Sequence, residues 1–413
     1  MKSGYLSEYF VGVTAKRLSA VEAHPEKSNQ HEFNGVNRLK VLLGENRLQD
    51  IPALFLWIGD GEGISEGSLV TWYDARKDDP NRSEFRLYFK SNSVMKKMAK
   101  EGDLVIIAKK QSGELMILVA DKGSSGENRL LWLFDFTPIE VSNRFSVQHF
   151  ESGSDRRIES VANFILEELG LPTQEIMPDS QTDLAKFDKL IAPYEEKFPP
   201  TAEFSRIARQ TLRKLDVESD PDKALLTWLE HEESLFRYME RRLVAQRLEE
   251  GFYDGSAADV DEFISYSLSV QNRRKSRAGY ALEHHLDEIF RHFELRYERQ
   301  AKTELNSRPD FLFPGAKEYK DTSFPDTQLS MLGVKSTCKE RWRQVLAEAQ
   351  RIPEKHLLTL EPGISENQTD EMAVNKLQLV LPASLHFTYS ESQRAWLMSL
   401  FDFIYYILGQ QKR

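Results

Sequence analysis

The chain has 413 residues, with 55 lysines and arginines, 65 aspartates and glutamates, and a single cysteine, Cys338. This length predicts two or three domains. One cysteine excludes an internal disulfide framework and a cysteine-cluster zinc site. The sequence has no apolar run long enough to span a membrane, and residues 1–10 lack the apolar core of a secretory signal. We therefore expect a cytoplasmic protein without a membrane partner.

The net charge of −10 is distributed unevenly along the chain. Residues 151–200 carry five basic and 11 acidic side chains, whereas the segments on either side are close to balance. Proline residues also interrupt this acidic stretch, which is typical of a connection between domains. We predict an N-terminal domain over 1–170, an acidic linker over 171–200 and a C-terminal domain over 201–413. Basic surface for nucleic acid is still expected on both domains.

The N-terminal part is predicted to be mainly β. Short apolar runs recur there between polar turns, a spacing that indicates a barrel or a sandwich. One helix is predicted after them, from Ser154 to Leu169, on the helical spacing of its apolar residues. The predicted strands are Ile51–Ile58, Ser68–Tyr73, Glu84–Phe89, Leu104–Ala108, Glu114–Val119 and Leu130–Phe136.

The C-terminal part changes character along its length. Residues 201–297 carry helical apolar stripes, and one helix is predicted to begin near Ser276. Short apolar runs suited to central strands follow, with helices between and after them, which indicates an α/β core. The predicted strands are Phe311–Phe313, Met331–Val334, His356–Leu360 and Leu377–Leu381, and the predicted helices are Lys339–Ile352 and Glu391–Leu408.

Three charged residues in this α/β part have the spacing of a phosphodiester-cleaving site. Asp310 opens one apolar run, Lys335 closes the next, and Glu348 follows 13 positions later on the predicted helix. If the two runs pair as neighbouring strands, Asp310 and Lys335 emerge at one edge of the sheet. Carboxylates there would hold Mg²⁺ against a phosphate, and the lysine would stabilise developing negative charge. Taken alone, such a pattern is weak, because turn and surface residues reproduce it often.

The residues around these three carry a resemblance to a known family. The blocks SVQNRRKSRAGYALE (269–283), PDFLFPGAKEYKD (309–321) and MLGVKSTCKERWRQVLAEA (331–349) resemble the EcoRII catalytic domain in order and separation. The resemblance implies a PD-(D/E)XK nuclease core, with Gly333 standing where the usual second acid would be. It implies Asp310 and Glu348 as ligands of Mg²⁺, Lys335 as the catalytic lysine and Glu283 as a further active-site acid.

The same resemblance implies two groups of DNA contacts. A triplet after Lys335 would read bases in the major groove, since arginine bonds bidentately to guanine and glutamate accepts from cytosine. A basic cluster would contact phosphates, although a solvated charge run is an equally good interpretation of each of its residues. The triplet is Lys339, Glu340 and Arg341, and the cluster is Arg273, Arg274, Lys275 and Arg277.

The N-terminal part resembles the EcoRII effector domain more loosely, through Tyr9-Phe10-Val11 and Lys16–Ala20. This resemblance implies a β-pseudobarrel that binds an additional DNA copy and regulates cleavage. Its implied DNA contacts are Arg82, Glu84, Arg86 and His31. On a strand, the first three would share one face. They would suit base readout and a surface salt-bridge ladder nearly equally.

The sequence thus predicts a type II restriction endonuclease that cuts double-stranded DNA at a short palindromic CC(W/N)GG-like site. A palindromic site favours a homodimer. No glycine-rich phosphate loop is present, so we expect no nucleotide cofactor. Two alternatives remain open at this point: a sequence-specific DNA-binding regulator without cleavage, and a modification-dependent nuclease of the same superfamily.

Overall fold

A computed structural model of the chain describes residues 6–24, 31–33, 36–59, 63–79, 81–90, 94–137, 141, 146–149, 165–166, 169–170, 181–194, 197–212, 215–255, 257–338 and 341–412. The backbone divides into two compact units. The first comprises residues 1–174, 362–368 and 388–390, and the second comprises residues 175–361, 369–387 and 391–413.

The first unit contains an eight-stranded sheet in the order β2-β5-β4-β3-β7-β6-β1-β8. Neighbouring strands are antiparallel except β3 and β7, which are parallel. The mainly β prediction is therefore matched by the sheet. The strands are β1 (Phe10–Arg17), β2 (Glu32–Phe33), β3 (Leu48–Trp57), β4 (Ile64–Asp74), β5 (Phe85–Phe89), β6 (Leu104–Lys110), β7 (Leu115–Ala120) and β8 (Ser146–His149).

One predicted strand of this unit, Leu130–Phe136, is wrong. Its apolar residues belong to helix α3 (Ser125–Leu133), which follows the short helices α1 (Ala20–Ala23) and α2 (Lys40–Leu43). Ser124 caps α3, because its side chain accepts a hydrogen bond from the Glu127 N–H. The run also lacks β-branched residues, and leucine favours a helix. The predicted helix Ser154–Leu169 lies largely outside the described residues.

Helices dominate the first half of the second unit. Helix α4 lies inside the predicted linker, and its Phe187 packs against Phe204 of α5, so the described part of 171–200 is a packed element as well as a connection. Helix α7 begins 16 residues before the predicted start near Ser276, after the cap residue Asp259. The helices are α4 (Gln181–Ile191), α5 (Thr201–Thr211), α6 (Pro221–Glu250) and α7 (Val260–His292). A two-residue hairpin, β9 (Tyr253–Asp254) and β10 (Ala257–Ala258), joins α6 to α7.

A five-stranded mixed sheet forms the centre of the second unit, in the order β11-β12-β13-β14-β15. The first three strands are antiparallel, and β13, β14 and β15 are parallel. Helices α6, α7 and the C-terminal helix α12 bury apolar side chains against one face of this sheet. The α/β prediction and its four strands are confirmed. The strands are β11 (Glu298–Arg299), β12 (Phe311–Phe313), β13 (Ser330–Lys335), β14 (Lys355–Thr359) and β15 (Leu377–Val380).

Two helices of this part are shorter than the sequence predicted. In the described part of the predicted helix Lys339–Ile352, the α-helix is α9 (Trp342–Val345), and the residues after Val345 form turns. The predicted helix Glu391–Leu408 is divided into α11 (Glu391–Arg394) and α12 (Leu400–Gln411), because Ser399 caps the start of α12. The remaining helices are α8 (Ala316–Lys320) and α10 (Glu366–Val374). Among the helices that the structure describes, none is long and apolar enough to cross a membrane.

Candidate active site

Asp310 and Lys335 meet at one edge of the mixed sheet. Asp310 directly precedes β12 and Lys335 ends β13, and the antiparallel register pairs Phe311 with Leu332. The Asp310 carboxylate is 7% exposed. Its Oδ2 accepts hydrogen bonds from the Val334 N–H at 2.7 Å and from the Lys335 Nζ at 3.3 Å. The strand pairing that the sequence required for this site is thus present.

Glu348 reaches the same site from a turn. The sequence placed it on a helix, but α9 ends at Val345 and Glu348 follows in the irregular segment after it. Burial raises the pKa of Glu348 to about 7, and the negative charge of Asp310 adds to this effect, whereas Lys335 opposes it. Its Oε2 is buried without a hydrogen-bond partner among the described residues. A buried, unpaired carboxylate oxygen beside a second acid is an unfavourable arrangement that a cation would relieve.

The turn that carries Glu348 is held by Arg351, which the sequence analysis missed. The Arg351 guanidinium donates hydrogen bonds to the backbone carbonyls of Tyr319, Asp321 and Phe324 and forms an ion pair with Asp326 at 2.6 Å. A guanidinium with five fixed donors is suited to gathering several carbonyls at once. No periodic pattern could predict this role, since the acceptors are backbone atoms.

Glu283, the fourth predicted acid, lies on α7 and is electrostatically coupled to the same site. Burial raises its pKa, and the charge of Asp310 raises it further, whereas Arg299 and Lys335 lower it. The Arg299 Nη2 donates to the Glu283 Oε2 at 3.2 Å. Asp310 and Lys335 are therefore in contact, and Glu348 and Glu283 lie close enough to interact electrostatically with both of them.

The donor set fits a hard divalent cation that retains water ligands. In the part of the chain that the structure describes, no three His, Cys, Asp or Glu side chains converge as a complete protein ligand set. Mg²⁺ does not need one, because it is commonly held by one or two carboxylates together with waters and substrate phosphate. Asp310 and the unpaired oxygen of Glu348 are oxygen donors of that kind.

The basic cluster lies in the middle of α7, and one of its members is not on the surface. Arg277 is 5% exposed. It forms an ion pair with Glu232 at 2.5 Å and lies 3.7 Å from the centre of the Phe204 ring. This burial does not favour the predicted phosphate contact of Arg277, which stays a prediction, because its guanidinium is enclosed by α5 and α6 in the described conformation.

The other cluster residues differ in their surroundings. Arg274 is 47% exposed and is paired with Glu240 at 2.6 Å. Arg273 lies 5.0 Å from the centre of the Phe198 ring. The side chain of Lys275 lies outside the described part. Arg273 and Arg274 are thus the cluster residues whose described environment leaves them near solvent.

The predicted base-reading triplet is described only at its last residue. Arg341 directly precedes α9, is exposed, and donates to the Thr337 Oγ1 at 2.9 Å. Lys339 and Glu340 lie outside the described residues. Trp342 and Val345, next along the chain, are fully buried, as their apolar character predicted.

In the first unit, two of the predicted DNA contacts belong to a charge cluster. Arg86 pairs with Glu32 at 2.7 Å and with Glu84 at 2.8 Å, and Arg76 pairs with Glu84 at 2.5 Å. The hydrogen bonds from the two arginines lower the pKa of Glu84 to about 2. In the described conformation, Glu84 and Arg86 therefore form surface salt bridges, which is one of the two roles that the sequence suggested for them.

The other two predicted contacts of this unit lie apart from that cluster. Arg82 is exposed before β5, and neither Arg82 nor Glu84 lies on a strand with Arg86, because β5 begins only at Phe85. His31 is half-buried, and its ring meets the Phe89 ring edge to face at 5.9 Å. Both positions remain predictions as DNA contacts.

Part of the second unit is similar in sequence to known proteins. Residues 236–404 match the family model described as EcoRII C terminal. The particular relative is the type II restriction enzyme EcoRII of Escherichia coli, which is 45% identical over 214 residues. That alignment covers 52% of this chain and 51% of the enzyme, so the chain spans about half the length of the curated relative. The resemblance that the three sequence blocks indicated is confirmed for this region.

Two solved structures are similar at a lower level. One is metal-depleted Ecl18kI in complex with uncleaved DNA, with 18% identity, a TM-score of 0.42, and coverage of 55% of this chain and 84% of that chain. The other is a complex of the restriction endonuclease PspGI with substrate DNA, with 16% identity, a TM-score of 0.44, and coverage of 52% and 95%.

Proposed function

We propose that the chain is a type II restriction endonuclease that hydrolyses double-stranded DNA at a short palindromic site. The observation that carries this proposal is the convergence of Asp310, Lys335 and Glu348 at one sheet edge, with a buried carboxylate oxygen left unpaired. The similarity to EcoRII over the same region supports it. We assign the mixed sheet and its flanking helices to the PD-(D/E)XK core.

Each residue of the site has a distinct role in this proposal. Asp310 and Glu348 would hold Mg²⁺, which when bound would polarise the scissile phosphate and acidify a water ligand. Lys335 offers a positive charge beside Asp310, where it orients the attacking water and offsets negative charge that develops on phosphate oxygens. Glu283 is electrostatically coupled to Asp310, and we assign it as the further acid of the site.

The DNA sequence would be read from the segment after Lys335. Arg341 is exposed at the start of α9, and its planar guanidinium suits the two acceptors on the guanine major-groove edge. Together with Lys339 and Glu340 it would read the outer pairs of a CC(W/N)GG-like site. Arg273 and Arg274 would contribute phosphate contacts on the same unit.

Two further features belong to the proposal. A palindromic site calls for two-fold symmetry, so the active species would be a homodimer in which each protomer cuts one strand. The first unit, whose eight-stranded sheet we assign to a pseudobarrel, would bind a further DNA copy through Arg82 and neighbouring residues and regulate cleavage.

The test uses purified protein, Mg²⁺ and unmethylated plasmid DNA that carries several CCWGG and CCNGG sites, with sequencing of the product ends. Discrete fragments that end at one short palindrome are expected from the native chain and from Lys320→Ala, an exposed control on α8. Lys335→Ala should bind the same DNA without cutting it.

Two results would contradict the proposal. Tight site-specific binding without any cleavage by the native chain would indicate a DNA-binding regulator. Cleavage that requires methylated DNA would indicate a modification-dependent nuclease.

Arg341→Ala should lower site-specific affinity by about 10–100-fold. Arg343→Ala should not, although Arg343 lies in the short helix that Arg341 precedes, because it is paired with Glu371.

A further inference from the structure

Arg299, the last residue of the edge strand β11, and Gln300, which follows it, each donate a hydrogen bond to one acid of the candidate site. The Arg299 Nη2 donates to the Glu283 Oε2 at 3.2 Å, and the Gln300 Nε2 donates to the Asp310 Oδ1 at 2.8 Å. Neither residue was singled out in the sequence. Gln300 is the more informative of the two, because its partner is the acid that also contacts Lys335.

The backbone at Gln300 adopts an uncommon conformation. Its φ is +51°, in the left-handed region that residues other than glycine rarely enter. Such a conformation costs about 1–2 kcal/mol for a side chain with a Cβ. In this conformation the Gln300 N–H donates to the Asp310 carbonyl at 3.2 Å, while its side chain donates to the Asp310 carboxylate. Gln300 thus donates hydrogen bonds to both the backbone and the side chain of Asp310.

The chemistry of the contact favours an orienting role. A carboxylate oxygen only accepts hydrogen bonds, so the end of the Gln300 amide that faces it is the NH₂ group. Val334 and Lys335 donate to the Oδ2, and Gln300 donates to the Oδ1. Each carboxylate oxygen has two lone-pair sites, so a single neutral donor fixes the Oδ1 and leaves it able to bind a cation. A cationic donor in the same place would compete with that cation.

We propose that Gln300 is a positioning residue that orients the Asp310 carboxylate for a divalent cation. The proposal rests on the function assigned above. Partners of this type, which hydrogen-bond a metal ligand without touching the metal, typically change metal affinity by about 10–100-fold when they are removed. Gln300 acts through Asp310, so its loss affects cation affinity more than turnover at saturating cation.

The experiment compares Gln300→Met and Gln300→Gly with the native chain and with Gln328→Met. Methionine keeps the length of the side chain but cannot donate, and glycine also removes the strain of the left-handed backbone. Gln328 lies before β13, away from the acids to which Gln300 and Arg299 donate, and serves as the control. Binding of Mn²⁺ is measured by electron paramagnetic resonance of the free ion, with and without plasmid DNA. The Mg²⁺ dependence of cleavage and the Tm are measured in parallel.

Both Gln300 variants should bind Mn²⁺ at least about 10-fold more weakly than the native chain. Their Mg²⁺ requirement should rise by a similar factor, while kcat at saturating Mg²⁺ falls much less. Gln300→Gly should keep or raise the Tm, which separates a positioning role from a structural one. If both variants bind Mn²⁺ with the native affinity while the native chain cleaves DNA, this inference alone is overturned. A native chain that neither binds Mn²⁺ nor cleaves DNA would overturn the proposed function as well.

Discussion

Gly333 of β13 packs directly beneath Val345 of α9. A Cβ added to Gly333 would lie 3.0 Å from the Val345 Cγ2 and 3.1 Å from its Cγ1. Position 333, where the resemblance to PD-(D/E)XK nucleases would place a second acid, therefore admits a larger side chain only if Val345 moves. The same close approach places α9 on the sheet three residues before Glu348.

This packing predicts that Gly333→Ala destabilises the protein by about 1–3 kcal/mol, the usual range for overpacking a tight core. Gly333→Asp should cost more, because a buried unpaired charge is added to the clash. Urea unfolding provides the measurement. The double variant Gly333→Ala, Val345→Ala should lose less than the sum of the two single losses. Strict additivity would show that the two side chains do not share the space.

Arg277 provides a second prediction, which distinguishes a buried ion pair from a DNA contact. Arg277→Ala leaves the Glu232 carboxylate buried at 2% exposure, and breaking such a pair commonly costs about 3–5 kcal/mol. Urea unfolding should show this loss. DNA affinity, measured well below the unfolding transition, should stay within about threefold of the native value.

The matched change is Arg277→Met with Glu232→Leu, which removes both charges and should recover most of the lost stability. Arg273→Ala, in the same cluster but on the ring of Phe198, is the DNA-binding comparison. A stable Arg277→Ala variant with a large loss of affinity for any DNA sequence would restore the phosphate-contact interpretation.

His356 of β14 predicts a loss of stability in acid. Burial lowers its pKa to about 4, and its ring lies between Phe403 and Tyr406, at 5.1 and 5.2 Å. An unfolded histidine takes up its proton near pH 6.5. Between pH 6.5 and about 4 the unfolded state therefore binds more protons, and the free energy of unfolding falls as the pH falls.

The contribution of His356 should be fully present above pH 6.5 and should decline by about 1–3 kcal/mol toward pH 4. His356→Phe keeps an aromatic ring among aromatic neighbours and cannot titrate. Its unfolding free energy should depend less on pH by that amount, as measured by urea titrations from pH 7.5 to 4.5. His292→Gln, at an exposed histidine of α7, should keep the native pH dependence. Parallel curves for the native chain and His356→Phe would contradict the prediction.

The parts of the fold that the sequence predicted well are those fixed by short-range apolar patterns. Strands β12 to β15 are centred on short apolar runs and are almost wholly buried. Leu130–Phe136 was misassigned because a short, mostly apolar run suits a buried helix as well as a strand, and the cap at Ser124 lies outside the run. The start of α7 was placed too late because residues 260–276 are largely exposed, so this half of the helix lacks a buried stripe.

The candidate site was predictable where chemistry sets the residue type. Asp310, Lys335 and Glu348 carry charges that an α/β core otherwise excludes. Gln300 and Arg351 were missed because their functions depend on long-range contacts to Asp310 and to backbone carbonyls, which leave no local pattern. The burial of Arg277 was not predictable, because a charged residue in a basic run is expected at the surface unless its buried partner, Glu232, is known.

The last prediction concerns the turn that carries Glu348. Arg351→Lys keeps the charge but cannot bond the carbonyls of Tyr319, Asp321 and Phe324 together, because an ammonium lacks the planar array of donors. We expect a loss of about 1–3 kcal/mol in the free energy of unfolding, since the partly buried carbonyls of Tyr319 and Phe324 lose their donor. Cleavage should fall at least about 10-fold through displacement of Glu348, while DNA binding without Mg²⁺ is retained.

The control is Asp326→Asn, which removes only the ion pair with Arg351. Asp326 is 60% exposed, and exposed pairs contribute about 0–1 kcal/mol, so this variant should cleave DNA and unfold like the native chain. Equal losses in Asp326→Asn and Arg351→Lys would assign the effect to charge pairing. Native cleavage by Arg351→Lys would show that Glu348 is positioned without the hydrogen bonds from Arg351 to the backbone carbonyls.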